Sequence, residues 1–161
     1  DRANHGETEG KWTSTDNSKT ATIVGGTWDG DILNLDGTDD YVEVPLTNAK
    51  SAIIVLKRTK STSNPYIFDC RTTKSAYMYC SNAADYIGND VTVWANGTLL
   101  KRAAGGFNDV PISEMCVYTL VFNTPFTGNM YVGCRYSKNE GFLAAEVATI
   151  SAYETDISPS A

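Results

Sequence analysis

A chain of 161 residues with 42% hydrophobic and 20% charged residues is large enough to bury one core, and no stretch approaches the roughly 20 apolar residues of a membrane span. A formal charge of −6 and a pI near 4.7 repel a phosphate backbone, and Lys57, Arg58 and Lys60 make only a small basic cluster, so nucleic acid is not an expected partner. The first residue is Asp1 and no signal-like apolar segment follows it, which reads as a processed product or a piece of a longer protein.

Short runs rich in Val, Ile, Tyr and Phe are punctuated by Gly, Asn, Asp, Ser and Thr along the whole length, the pattern of antiparallel strands. In chain order, strands are predicted at Thr20–Gly25, Ile32–Leu35, Tyr41–Val44, Ala52–Arg58, Tyr66–Cys70 and Ala76–Cys80. The second half predicts Tyr86–Ile87, Thr92–Ala95, Thr98–Arg102, Met115–Phe122, Asn129–Arg135 and Glu146–Tyr153. About twelve short strands require two stacked sheets. Asn96-Gly97, between Val93-Trp94-Ala95 and Thr98-Leu99-Leu100, is the dipeptide that best accepts the two positive φ angles of a type I′ hairpin turn. The continuous apolar run Ile53-Ile54-Val55-Leu56 predicts a central strand covered on both sides. A helix competes with a strand over Gly141–Ala148, whereas Ala148–Tyr153 reads as strand. With no repeat and no Pro-rich linker, residues 1–161 read as a single domain.

Cys70, Cys80, Cys116 and Cys134 form an even set without any C-x-x-C pair, so zinc is not expected; the residues serve either as small buried hydrophobes or as disulfides. His5 is the sole histidine and lies in the polar start, which leaves no Ser-His or Cys-His pair for nucleophilic catalysis.

The stretch Leu33-Asn34-Leu35-Asp36-Gly37-Thr38-Asp39-Asp40-Tyr41-Val42-Glu43-Val44-Pro45 closely resembles the D-G-x-D-D turn motif of bacterial and viral laminin-G-like domains, a branch of the concanavalin A-like superfamily. It also makes physical sense: Asp36 and Asp39 can accept neighbouring amides and Gly37 supplies a positive φ. Ser51–Arg58, Met130-Tyr131-Val132-Gly133 and Phe142–Ser158 resemble further strands of the family in the right order. The chain departs from the family where Ile54-Val55-Leu56 lacks the usual Trp, and where Gly141 is displaced by Phe142 and Leu143. The resemblance implies an all-β, two-sheet antiparallel jelly-roll sandwich of concanavalin A-like type, placed outside the cell, on its surface or on a virion.

Some members of that fold are glycosidases, which need two carboxylates about 5–9.5 Å apart across a sugar cleft. Here the E-x-D-x-x-E pattern is absent and Glu43, Glu114, Glu140, Glu146 and Glu154 are isolated, so an enzyme is not expected. Some members bind a structural calcium through Asp oxygens, a role that Asp29, Asp31, Asp36, Asp39, Asp40, Asp85, Asp90 and Asp109 could serve; no other cofactor is expected. Glycan recognition combines aromatic platforms with amide and carboxylate hydrogen bonds. Candidates are Trp28, Tyr66, Tyr77, Tyr79, Tyr86 and Trp94 with Asn82 and Asn89, and the loop Ala103–Pro111 with Phe107, Asn108 and Asp109. The foremost set is Trp28, Tyr86, Trp94, Phe107, Asn108 and Asp109. Two functions follow from these readings: a non-catalytic module binding a glycan or protein on a surface, or a structural component of a viral particle that packs against other virion subunits or copies of itself.

Overall fold

The computed structural model describes residues 10–15, 18–59, 64–72, 74–80, 85–100 and 112–159. Its strands are β1 (Lys11–Thr13), β2 (Thr20–Val24), β3 (Thr27–Asp29), β4 (Ile32–Asp36), β5 (Tyr41–Arg58) and β6 (Tyr66–Asp69). They continue with β7 (Tyr77–Cys80), β8 (Asp85–Ile87), β9 (Val91–Ala95), β10 (Thr98–Leu100), β11 (Met115–Val132) and β12 (Ala144–Tyr153). The fold is all-β, and every strand pair is antiparallel. Among the described residues no helix is long and apolar enough to cross a membrane.

Two long strands organise the sandwich. The front half of β5 pairs with β2 and with the back half of β11, which continues to β6, β7 and β8, while β1 flanks β2. The back half of β5 pairs with β12 and with the front half of β11, which continues to β9 and β10, while β4 and β3 flank β12. We call these the first and second layers. Between them the ladder breaks: Val121 faces Ser51 and Phe126 faces Ala49, so β11 carries extra residues at the bend, and a second register shift follows at Gly128. Bulges of this kind let one strand serve two sheets.

At the bend, lysines donate to the backbone carbonyls of β11. Lys50 Nζ donates to the carbonyls of Phe122 (2.7 Å) and Asn123 (3.2 Å), and Lys74 Nζ donates to those of Thr124 and Pro125 (3.2 Å each). Inward side chains alternate along each strand and meet in one core. Val42, Leu46, Phe68, Met78 and Val132 come from the first layer, and Leu33, Ile54, Leu56, Leu120 and Val147 from the second. Burying each is worth about 1.5–3 kcal/mol.

The twelve predicted strand segments fall on ten observed elements, and four of the segments fuse pairwise into β5 and β11; Lys101 and Arg102, at the end of one segment, lie outside the described residues. The polar stretches Thr47-Asn48 and Asn123-Thr124-Pro125 look like turns in sequence but lie at the bend, where a strand tolerates them. The short β1 and β3 were not foreseen. Gly141–Ala148 holds no helix: residues 141–143 are irregular and β12 starts at Ala144. The run Ile53–Leu56 is central in its layer yet buries fully on one face only; Ile54 and Leu56 point into the core and Ile53 and Val55 are half-buried outside. The expected Asn96-Gly97 turn is present, with φ of 48° and 80° joining β9 to β10. All four cysteines are buried free thiols in the structure, the first of the two alternatives.

Candidate functional site

Antiparallel register decides which side chains share a surface. On the outer face of the first layer, Thr22 lies opposite Glu43, Glu43 opposite Tyr131, Tyr131 opposite Asp69 and Asp69 opposite Tyr77. A second row runs Tyr66–Tyr79–Tyr86 across β6, β7 and β8. Tyr66 and Asp69 are three residues apart, so a regular strand would turn them to opposite faces. A register shift between Tyr66 and Phe68 puts them on the same one.

The rings stack across the strands. Tyr79 and Tyr86 centroids are 4.7 Å apart at 19°, Tyr66 and Tyr79 are 5.0 Å apart, and Tyr77 and Tyr79 are 6.0 Å apart at 21°. Because neighbouring rings cover one another, the row offers ring edges more than ring faces. Tyr86, on the last strand of the row, is 41% exposed. Tyr66 is seated against Gly141: the Tyr66 N–H donates to the Gly141 carbonyl (2.9 Å), and a Cβ at Gly141 would lie 2.4 Å from the ring.

At the centre, Arg71 leaves the end of β6 and folds back over the rings, with its guanidinium carbon 4.3 Å from the Tyr77 centroid, 5.1 Å from that of Tyr66 and 5.5 Å from that of Tyr136. It is held by Asp69, whose side chain is fully buried. Asp69 accepts Arg71 Nη2 at 2.7 Å, Nε at 3.1 Å, the Arg71 backbone N–H at 2.9 Å and the Tyr136 N–H at 3.2 Å. A buried carboxylate with this many donors is compensated, and its loss would strand the guanidinium. Arg71 Nη2 also donates to the Tyr66 hydroxyl at 2.8 Å, fixing the first ring of the row. Lys138 Nζ donates to Glu43 at 3.1 Å and lies 5.3 Å from the Tyr131 centroid, whose ring meets Tyr41 edge-on at 6.4 Å. Burial pushes the hydroxyls of Tyr41 and Tyr79 to titrate above their usual range, so both remain neutral donors near pH 7.

The structure thus gathers Tyr66, Tyr77, Tyr79 and Tyr86 and places Trp28 and Trp94 elsewhere. Trp28 packs edge-on against Trp12 at 5.2 Å and against the core. Trp94 faces outward on the second layer, beside Thr119 and Leu99. Phe107, Asn108 and Asp109, with Asn82, lie outside the described residues, as does His5. Tyr41, Arg71, Tyr131, Tyr136 and Lys138 were not foreseen; the period-two pattern Tyr77-Met78-Tyr79 was the available signal.

Of the calcium candidates, Asp36, Asp39 and Asp40 bring carboxylate oxygens within 4.8 Å of one another. These are hard donors of the right type, three of the six to eight that calcium takes. Two of the three already serve the turn: Asp36 Oδ1 accepts the Thr38 N–H (2.6 Å), and Asp40, not Asp39 as expected, accepts the Asp36 N–H (2.8 Å). Asp90 instead accepts the Ser75 N–H at 2.7 Å and closes a loop.

A scan against protein-family models finds no match for this chain, and a search of curated proteins finds no relative.

Proposed function

We propose that this chain is a non-catalytic recognition or adhesion module that binds a glycan or protein on a surface through the tyrosine-lined outer face of its first layer. The observation that carries the reading is the row Tyr66–Tyr79–Tyr86 flanked by Tyr77 and Tyr136 and anchored by the Arg71–Asp69 pair, an aromatic surface braced by a buried ion pair. The laminin-G-like resemblance of the Asp36–Asp40 turn and of β12 supports the same class, and with it a location outside the cell, on its surface or on a virion.

Binding of the purified chain to a broad glycan panel and to intact cell-surface extracts, read against a Tyr86→Ala, Tyr136→Ala double variant, tests the reading. Saturable binding by the parent that the variant loses supports it. Binding that the variant keeps would place recognition elsewhere.

A second reading, a structural component of a viral (phage) particle such as a capsid decoration, fibre or tail protein, has its own observation. Leu99, Met115 and Val117 stand 40–46% exposed on the outer face of the second layer, beside Trp94, Ile53 and Val55. Light scattering that shows a stable oligomer, dispersed by Val117→Lys, would favour it.

A further inference from the structure

We infer that the tyrosine-lined face takes an uncharged, hydroxyl-rich chain, a neutral oligosaccharide, rather than an acidic or sulfated one; this rests on the reading of that face as the recognition site. The charges on the face decide the ligand's charge. Among the described residues three cations meet it, and each is already neutralised at contact distance: Arg71 by Asp69 at 2.7 Å, Lys138 by Glu43 at 3.1 Å, and Arg135, stacked on Tyr136, by Glu140. An incoming carboxylate or sulfate would lose its hydration to meet pairs with no net charge to offer, on a chain whose formal charge is −6.

What the face does offer suits hydroxyls. Stacking leaves the edges of the rings rather than their faces to a ligand, and Tyr86, at the end of the row, and Tyr136, beside it, are 41% and 37% exposed and supply apolar area. Arg71 uses Nε and Nη2 on Asp69 and Tyr66. Among the described residues its Nη1 has no protein acceptor, which leaves two N–H donors for a neutral oxygen on a guanidinium that lies over the Tyr77 ring. A guanidinium whose charge is compensated still donates strong hydrogen bonds, and sugar hydroxyls or ring oxygens are acceptors of matching strength.

The experiment is calorimetric titration of the whole chain with neutral hexamers of glucose, mannose and N-acetylglucosamine, and with a galacturonate hexamer, at about 20 and about 500 mM NaCl, conditions across which exposed charge interactions are strongly screened. The expected result is that at least one neutral hexamer binds with affinity unchanged within about twofold across salt, and at least about tenfold more tightly than the galacturonate hexamer. Tyr86→Ala with Tyr136→Ala, two exposed positions that leave the core intact, should weaken it by at least about tenfold, in line with the loss of one or two stacking contacts. Glu140→Gln, which frees the charge of Arg135 at a largely exposed site, should bring in salt-sensitive galacturonate binding.

Preferential, salt-sensitive binding of galacturonate by the parent chain would overturn the inference and leave the recognition face standing. Neutral binding that survives the double variant, or no binding of any hexamer, would overturn it as well; in the last case, retention of cell-surface extracts by the parent but not by the double variant would still sustain recognition through this face, of a protein.

Discussion

Gly141 shows how one residue connects the backbone to the site. Its φ is +70°, and a methyl there would sit 2.4 Å from Cδ2 and 2.8 Å from Cε2 of Tyr66. Gly141→Ala should therefore cost about 1–3 kcal/mol, from the left-handed backbone and from the displaced ring, and should weaken ligand binding by moving the first tyrosine of the row. Urea unfolding and ligand titration of the variant check the two effects. Asp40 gives a pH signature. It is 7% exposed, and burial, opposed by the hydrogen bond from the Asp36 amide and reinforced by repulsion from Asp36 and Asp39, raises its pKa above the ordinary 3.8. The folded state then holds this proton at pH values where the unfolded chain has lost it, so the residue's contribution to stability declines as pH rises through the interval between 3.8 and the raised value. Asp40→Asn should be close to neutral below that interval and should gain stability relative to the parent above it. Denaturant midpoints for both proteins from pH 3 to pH 7 measure the difference, and a constant gap across the range would refute the assignment.

At the scale of elements, the bend in β11 depends on cations placed far away in sequence. Lys50→Met keeps the aliphatic stem and removes the donor to two carbonyls, so unfolding free energy should fall by about 1–2 kcal/mol, the low end for charged hydrogen bonds because the site is partly wet. A denaturant series reads this directly, and an unchanged midpoint would mean that water replaces the ammonium. The same bend marks where the sequence stopped being legible. Local composition identified the strands on either side of it, and Asn96-Gly97 identified a hairpin, because those signals live in a few neighbouring residues. Nothing local says that Thr47-Asn48 and Asn123–Pro125 continue a strand: the reason is the partner strand and two lysines, one next to β5's own corner and one 50 residues from Thr124. Likewise β1 and β3 are three residues each and are held by pairing to β2 and β4 and by the Trp12–Trp28 contact. The site was half legible for the same reason. Residue type and predicted strands singled out Tyr66, Tyr77, Tyr79 and Tyr86 as strand aromatics, but the meeting of Glu43, Tyr131, Asp69 and Tyr77 is a fact of register across β5, β11, β6 and β7.

For the whole molecule, the cysteines report on cooperativity. Cys70 and Cys80 flank the far side of the first layer, Cys116 pairs opposite Leu56 in the second, and Cys134 follows the end of β11, so the four thiols sample both layers. All are buried, and burial drives Cys134 up to about 12 and Cys70 higher still, leaving almost no thiolate near neutral pH; thiolate is the reactive form. Both layers share β5 and β11 and enclose one core, so neither can open without tearing the two longest strands. Labelling by a thiol reagent in the native state should thus be slow at every cysteine, with all four modified in a single step as denaturant crosses the unfolding transition. Mass spectrometry of quenched samples resolves the number of labels per molecule. A mixture of unlabelled and fourfold-labelled chains is the outcome that one cooperative sandwich requires. A populated species with two labels would instead show that one layer melts before the other and that the shared strands do not couple them.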